Sequence, residues 1–309
     1  MNAPLISVLL PVYNCGTLYL TKALQSIFSQ SYGNFEVIAI NDGSTDGSGD
    51  VLDSFAYQDS RLKIYTQSNQ GLPITLDTAY KKSRGELIAR MDGDDISDPY
   101  RLQKQLQFLR ENPGVGACGT WSTMIDPFGD TICKMRPPLH HNAIEELLYK
   151  GNATALIHPT LMTRREIFEL AGGYNPNNEL EDLDLYLRLV EVTQLANIPE
   201  TLLQYRVHFG STNHQRRQRH VQLTIKTVCD ARKRRGLPPG SSLFHLPCRS
   251  DRKSEVYQDW AMKAYFDGNL RISRKYALKS FFAVPHSKRS WKAPYLAFLK
   301  NGTTQEWHD

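Results

Sequence analysis

The residues with the greatest chemical capacity in this chain are three acids, Asp92, Asp94 and Asp95, gathered around Gly93. Leu87, Ile88, Ala89 and Met91 precede them as a short apolar run, the pattern of a strand buried on both faces. The acids therefore stand at the carboxyl end of a strand, the edge at which open α/β sheets bind ligands. Gly93 permits a tight turn between carboxylates. Unit charges about 4 Å apart repel by roughly 1 to 4 kcal/mol per pair, depending on the effective dielectric. A hard divalent cation reverses that sign, and clustered carboxylate oxygens suit Mg2+ or Mn2+, which complete their shells with water and substrate phosphates. Taken alone, the same residues also read as a solvated turn ahead of a helix capped by Asp98, with Pro99 as its first residue.

The elements around these acids follow a regular alternation. Leu5 to Val12 reads as a first buried strand, ending in the PVYN loop of Pro11, Tyr13 and Asn14, and Leu20, Ala23, Leu24, Ile27 and Phe28 recur at helical spacing. A second strand, Phe35 to Ile40, runs into Asn41, Asp42, Gly43 and Ser44. The next helix is capped by Thr45 or Ser48. A third strand spans Leu62 to Thr66, followed by an Asn69, Gln70, Gly71 loop and a helix over 74–83. The acid-tipped strand comes fourth, so the pattern predicts an α/β protein with a doubly wound, mostly parallel sheet flanked by helices. A helix through Leu102, Leu106 and Leu109 stops at Asn112 to Gly114. Beyond it the spacing predicts strands at 115–125 and 131–135 joined by a turn at 126–130, and a helix over 143–149. A strand at 155–163, a helix over 181–192 and a strand at 202–207 follow. A polar link at 210–220 leads to basic helices, broken at 237–240, with two more helices in 256–283 and an amphipathic end at 291–299.

Bulk composition bounds the class. The chain has 309 residues, 40% hydrophobic and 22% charged, with mean hydropathy −0.45, which is globular and not disordered. It contains no apolar run long enough for a spanning helix. The start, MNAPLISVLLPVYN, lacks a basic leader, and the expectation is a cytoplasmic protein. Five cysteines without CxxC spacing are read as reduced thiols. Through His214 there are 17 Lys and Arg against 25 Asp and Glu; from Gln215 onward there are 20 against 7. The basic part is suited to an anionic membrane face, or to an oligomer interface, if it is more than a solvated helical surface. Arg216, Arg217, Arg219 and Lys233 to Arg235 cluster, but no groove-reading motif accompanies them, and nucleic acid is not an expected partner.

The motifs PVYN, NDGS (Asn41 to Ser44), DGDD (Asp92 to Asp95) and LEDLD (Leu180 to Asp184), with GGY, EDLDLYLRL and YRVH, resemble the family 2 glycosyltransferases of the GT-A fold. The resemblance covers about the first two thirds of the chain. It implies a nucleotide-sugar donor, most often a UDP-sugar, a divalent Mn2+ or Mg2+, and inverting transfer to an acceptor hydroxyl. By this resemblance Pro11, Tyr13 and Asn14 lie against the nucleoside, and Asp42 takes the polar edge of the base. Arg61 and Asn69 belong to the donor site, and Asp92 faces the ribose. Asp94, supported by Asp95, meets the metal; which of the three acids touches it directly stays open. His208, in YRVH, reaches the diphosphate or the metal shell, or is hydrogen-bonded structure. Gly173 and Tyr174 shape the acceptor wall, although a tight turn explains the glycine equally well. The implied organisation is a transferase domain at 1–214, with a donor half at 1–112 and an acceptor half at 113–214, and a basic helical region at 215–309.

The chemistry itself makes two demands. Breaking a sugar–diphosphate bond leaves negative charge on the departing nucleotide, which a Lewis acid stabilises. The acceptor hydroxyl needs a carboxylate to take its proton. Asp182 is the expected base, at a helix start where the dipole favours an anion, with Glu181 beside it; in isolation both are ordinary first-turn acids, and Asp184 with Arg188 is a surface pair. The QxxRW signature of processive synthases is missing, so a single transfer is expected, onto a glycan or lipid-linked acceptor in bacterial cell-surface polysaccharide assembly at the inner membrane face. The alternatives are a sugar-phosphate nucleotidyltransferase, disfavoured because PVYNCGTLYL lacks a Gly- and Arg-rich loop, and a binding module that holds nucleotide without turnover. A nicotinamide dehydrogenase would need a GxGxxG after the first strand.

Overall fold

Runs of branched and leucine side chains build strands that are covered on both faces. In the computed structural model, which describes residues 5–209, 217–238, 252–285 and 292–299, β1 (Ile6–Val12) and β2 (Phe35–Asp42) are buried at every position. The helices α1 (Thr17–Phe28), α2 (Ser48–Gln58) and α3 (Leu72–Lys82) alternate with them, with β3 (Leu62–Gln67) and with β4 (Leu87–Arg90). These four strands pair in parallel, β3 on β2, β2 on β1 and β1 on β4. Parallel register brings the ends of β1, β2 and β4 to one edge, and the polar loops with them.

After β4 come the short β5 (Ile96–Ser97), α4 (Arg101–Glu111), β6 (Val115–Ile125), β7 (Thr131–Met135), α5 (His141–Tyr149), β8 (Met162–Arg164), α6 (Arg165–Leu170), α7 (Glu181–Val192) and β9 (Gln194–Arg206). The strand order is β3-β2-β1-β4-β8-β6-β9-β5, with β7 on β6. The pairs β4–β8, β6–β8 and β5–β9 are antiparallel, so the parallel arrangement belongs to the first four strands and the sheet is mixed. The expected strand at 155–163 is instead two 3-10 turns, Ala153–Ala155 and His158–Thr160, before β8. Pro159 has no N–H to give a ladder, and the Asn152 side chain accepts from Thr154 N to start the first turn. Two expected caps also move. Asp46, not Thr45 or Ser48, holds the start of α2 by accepting from Ser48 N at 3.0 Å. Asp98 accepts from Tyr100 N at 2.9 Å in a turn that precedes α4.

The remaining helices are α8 (Arg217–Arg234), α9 (Lys253–Phe266), α10 (Leu270–Ala283) and α11 (Lys292–Leu299). The chain divides into two compact units that interleave along the sequence: Met1–Ser122, Arg136–Gln204 and Gln222–Leu246 form one, and Thr123–Met135, Tyr205–Val221 and Pro247–Asp309 the other. The core of the first unit joins Leu9, Ile38 and Ile88 to Leu183, Tyr186 and Leu187 of α7. That of the second joins Met124, Ile132 and Cys133 of the β6–β7 hairpin to Val256, Trp260, Ile272 and Tyr276. At the hairpin turn the buried Asp126 accepts from Tyr276 Oη at 2.6 Å and from Lys275 Nζ at 2.5 Å. No helix of the described residues is long and apolar enough to cross a membrane. The predicted polar link falls partly on 210–216, outside the described residues.

Candidate functional site

The DGDD loop is held from below by a charged residue that the apolar run of β4 conceals. Arg90 is buried within the strand, and its Nη1 pairs with Asp92 Oδ2. Arg101 of α4, 1% exposed, donates from Nη2 to the Arg90 carbonyl at 2.6 Å and from Nε to Gln105 Oε1 at 3.1 Å. Gln105 in turn reaches Thr160 O at 2.7 Å, so the strand–loop junction is anchored from the far side of the sheet edge. Burial in this setting lowers the Arg101 pKa to about 10, while Asp95 works in the opposite sense. Above the junction Gly93 presses on the β1 loop: a Cβ there would lie 2.6 Å from Cys15 Sγ, a distance no real contact allows. Glycine therefore lets the two loops approach this closely with the Cys15 side chain in place. Asp92, Asp94 and Asp95 each offer a carboxylate oxygen, all within 4.8 Å of one another.

The loops after β1 and β2 are stitched together. Asn14, in the left-handed region at φ 47°, accepts from Thr45 N at 2.8 Å and donates its own N–H to Ser44 Oγ at 3.1 Å. Asp46 Oδ2 accepts from Gly16 N at 2.7 Å. Pro11 is buried at the end of β1, and Tyr13 just beyond is 52% exposed. Asp42 is buried and accepts from Gln67 Nε2 at 2.8 Å and from Gln70 N and Gly71 N, both at 2.9 Å. It fixes the loop that displays Asn69, which is exposed.

Arg61 does not join this group. It precedes β3, whose first residue Leu62 pairs with Val37 near the start of β2, and is therefore at the opposite edge of the parallel sheet. Six residues of strand at ~3.3 Å each put it roughly 20 Å from the loop it was expected to serve. There it pairs with Asp59 at 2.7 Å and stacks on Phe35, 4.3 Å from the ring centre. Resemblance in spacing carried Arg61 to a site that strand direction denies it.

The start of α7 brings the expected base to the acids. Asp182 Oδ1 accepts from Leu183 N at 2.6 Å at the helix amino end. Its charge acts on Asp92, whose carboxyl is pushed up chiefly by burial, is opposed by Arg90, and is raised further by Asp94 and Asp182. The side chain of Glu181 is buried; burial first and Asp182 second push its pKa up to about 8. Glu181 Oε1 lies 3.6 Å from His158 Nδ1, and His158 Nε2 is 3.0 Å from Tyr174 Oη. Burial and Arg90 hold His158 well below its usual range, so Glu181 and His158 meet as a neutral acid and a neutral imidazole, not as an ion pair.

This geometry corrects the acceptor-wall expectation. Tyr174 is 3% exposed with its hydroxyl turned to His158, so it braces the acids from within and presents no surface to an acceptor. Gly173, at φ 62°, packs its turn against Phe168. Arg188 and Asp184, paired at 2.6 Å, are a largely buried brace whose guanidinium also holds the Ala171 carbonyl. His208 lies in the second unit, and the acid cluster consists of Asp92, Asp94 and Asp95. The basic run Lys233 to Arg235 is partly spent inside the first unit, with Arg234 on Glu191 and Arg235 on Glu145. Arg90, Arg101 and Cys15 are the site residues that motif reading passed over. The signal for Arg90 was present, as a cation inside an otherwise apolar strand pattern has to be paired.

Comparison with known proteins matches this architecture. The model of the glycosyl transferase family 2 matches residues 7–171. The chain is 34% identical over 222 residues to the putative glycosyltransferase EpsE of Bacillus subtilis (strain 168), covering 70% of this chain and 77% of EpsE. It is 35% identical over 212 residues to the O-antigen biosynthesis glycosyltransferase WbnJ of Escherichia coli, covering 67% and 82% respectively. Among solved structures, the mannosyltransferase PcManGT from Pyrobaculum calidifontis in complex with GDP-Man and Mn2+ superposes with TM-score 0.57 at 18% identity, covering 98% of this chain and 77% of that one. S. aureus TarS 1-349 in complex with UDP-GlcNAc superposes with TM-score 0.54 at 16% identity, covering 90% and 73%. A GT-A-like mixed sheet with flanking helices, an acid cluster at its loop edge and this degree of likeness lead to one family: the chain belongs to glycosyl transferase family 2 and is a glycosyltransferase.

Proposed function

We propose that this enzyme moves one sugar from a nucleotide-sugar, read as a UDP-sugar, to a hydroxyl of a glycan or lipid-linked acceptor in cell-surface polysaccharide assembly, with inversion at the sugar carbon. The observation that carries the reading is the cluster of Asp92, Asp94 and Asp95 at the loop edge of the sheet, with the charge of Asp182, at the start of α7, acting on Asp92. The O-antigen role in the name of WbnJ supports the acceptor class, and the donors in the PcManGT and TarS complexes support a nucleotide-sugar. The working place is the cytoplasmic side of the membrane that carries such acceptors.

The acid cluster fits a divalent cation. The three carboxylates offer oxygens within 4.8 Å of one another, the donor type that a hard divalent cation takes. Asp94 and Asp95 would hold the ion, and Asp92, with an oxygen already on Arg90, would complete the set or face the ribose. Bound there, the ion supplies Lewis-acid compensation for charge on the departing diphosphate. The protein groups do the rest. Tyr13 offers its exposed ring to the base, and Pro11 and Asn14 set the loop that carries it. Asp42 holds the 67–71 loop, including Asn69, as the facing wall. Asp182 takes the acceptor proton as the acceptor oxygen bonds to the sugar carbon and the carbon–phosphate oxygen bond breaks with its electron pair leaving on the nucleotide. Neutral Glu181 keeps a second negative charge away from Asp182 and so leaves the base a single anion beside Asp92.

The test is nucleotide release from a panel of UDP- and GDP-sugars with Mn2+, with a thermal-shift screen of the same donors. A UDP-sugar that stabilises the protein and is turned over, with Asp94→Asn losing the metal-dependent stabilisation and Asp182→Asn keeping it without turnover, is the expected result. If no donor binds or reacts, the reading fails. Pyrophosphate release in place of nucleoside diphosphate would move the chain to nucleotidyl transfer.

A further inference from the structure

Within the second unit, the outer face of α10 and the turn between β6 and β7 form a cationic, aromatic patch that the transfer chemistry does not use. Ile272, Ser273, Tyr276, Ala277 and Ser280 face inward. Helical spacing then aligns Arg271, Lys275, Leu278, Lys279 and Phe282 along one outer stripe. Phe282 is 73% exposed, Leu278 42%, and Phe128 at the turn 74%. The ammonium groups of Lys275 and Lys279 stand 5.0 and 5.5 Å from the centre of the Phe128 ring, which ties turn and helix into one surface. Arg271 and Lys275 are spent on Asp130 and Asp126. Lys279 touches rings and pairs with no carboxylate among the described residues.

Charge selects the occupant. Over its full sequence this unit carries 17 Lys and Arg against 8 Asp and Glu, while the rest of the chain carries 20 against 24. A net charge of +9 on this unit makes association with a second copy of the same face repulsive, whereas an anionic surface attracts it. Exposed phenyl rings beside an ammonium group that pairs with no carboxylate among the described residues, on a unit of net positive charge, suit a lipid headgroup boundary. We propose that this patch seats the enzyme on an anionic lipid bilayer, with Phe128 and Phe282 entering the headgroup boundary and Lys279 meeting lipid phosphate. This narrows the membrane expectation drawn from charge to one face and adds a turn from the middle of the chain. It is independent of the donor reading, because lipid binding is measured without turnover.

The experiment is co-sedimentation of the full chain with vesicles of phosphatidylcholine alone and of phosphatidylcholine with phosphatidylglycerol, at low and high salt. The wild type is expected to bind the anionic vesicles and to lose them as salt rises. Each positive charge near such a surface is worth about fivefold in binding, so Lys279→Glu should weaken it roughly 25-fold. The paired Phe128→Ser and Phe282→Ser substitutions should weaken binding at every salt concentration, and circular dichroism should show the fold retained, since both rings face solvent. Equal binding by wild type and variants, or no preference for anionic vesicles, overturns the proposal. So does a lipid-free dimer that these substitutions convert to monomer, because a second copy would then be the occupant.

Discussion

Replacing Glu181 by Gln should stabilise the protein, and the gain should grow with pH. In the unfolded chain this carboxyl titrates near 4.5; in the fold burial and Asp182 push it up to about 8. The proton is held more tightly in the folded state, so the favourable contribution is whole below the unfolded value and is lost as the pH rises toward 8. At about 1.4 kcal/mol per pH unit the wild type forfeits on the order of 3 kcal/mol between about pH 5 and pH 8. Gln is isosteric with the neutral acid and carries no proton to lose. Urea unfolding of wild type and Glu181→Gln, in chelator to keep cations from the Asp cluster, should therefore give nearly equal midpoints at the acid end. The curves should diverge steadily toward pH 8. A difference between the two that is constant across this range would refute the reasoning, because it would mean that Glu181 is not forced to stay neutral by its surroundings.

Other substitutions test the remaining parts of the site. Arg90→Met leaves Asp92 without its cation and should cost about 3 kcal/mol, the low end for a buried pair because the Asp92 side chain keeps 27% exposure; chemical denaturation reads it directly. Gly93→Ala should lower Mn2+ affinity by driving a Cβ against Cys15 Sγ, and Cys15→Ala in the same chain should recover most of it, as isothermal titration would show. Asp182→Asn should lower kcat by about a hundredfold to ten-thousandfold with donor Kd unchanged. Arg61→Gln, at the far edge of the sheet, should leave kcat/KM for the donor unaltered, whereas Asp42→Ala, which frees the 67–71 loop, should raise the donor Kd.

Much of this molecule is written in local pattern. The alternation from β1 to β4 and the boundaries of β6, β7 and α7 follow from apolar spacing and turn residues, which act over a few positions. What failed did so where a distant contact outranks local preference. The apolar texture of 155–163 looks like a strand, but Pro159 and the hydrogen bonds of Asn152 and Gln105 hold it in turns that place His158 under the acids. Arg61 was misplaced because spacing carries no information about which end of a strand faces the loops. Tyr174 looked like a rim residue because tyrosine tolerates both settings, and only a partner 16 positions away, His158, decides between them.

The hairpin formed by β6 and β7 has a bearing on how such an enzyme can diversify. Ile132 and Cys133, lent from mid-chain, are part of what Trp260 and Tyr276 pack on, and Asp126 secures the loan by holding Lys275 and Tyr276. A carboxy-terminal segment taken from a relative and grafted after Gln204 would arrive without its matching hairpin. Recombination that respects the core has to move the hairpin together with the later stretches of its unit, so this unit cannot be exchanged as a cassette cut at a single point.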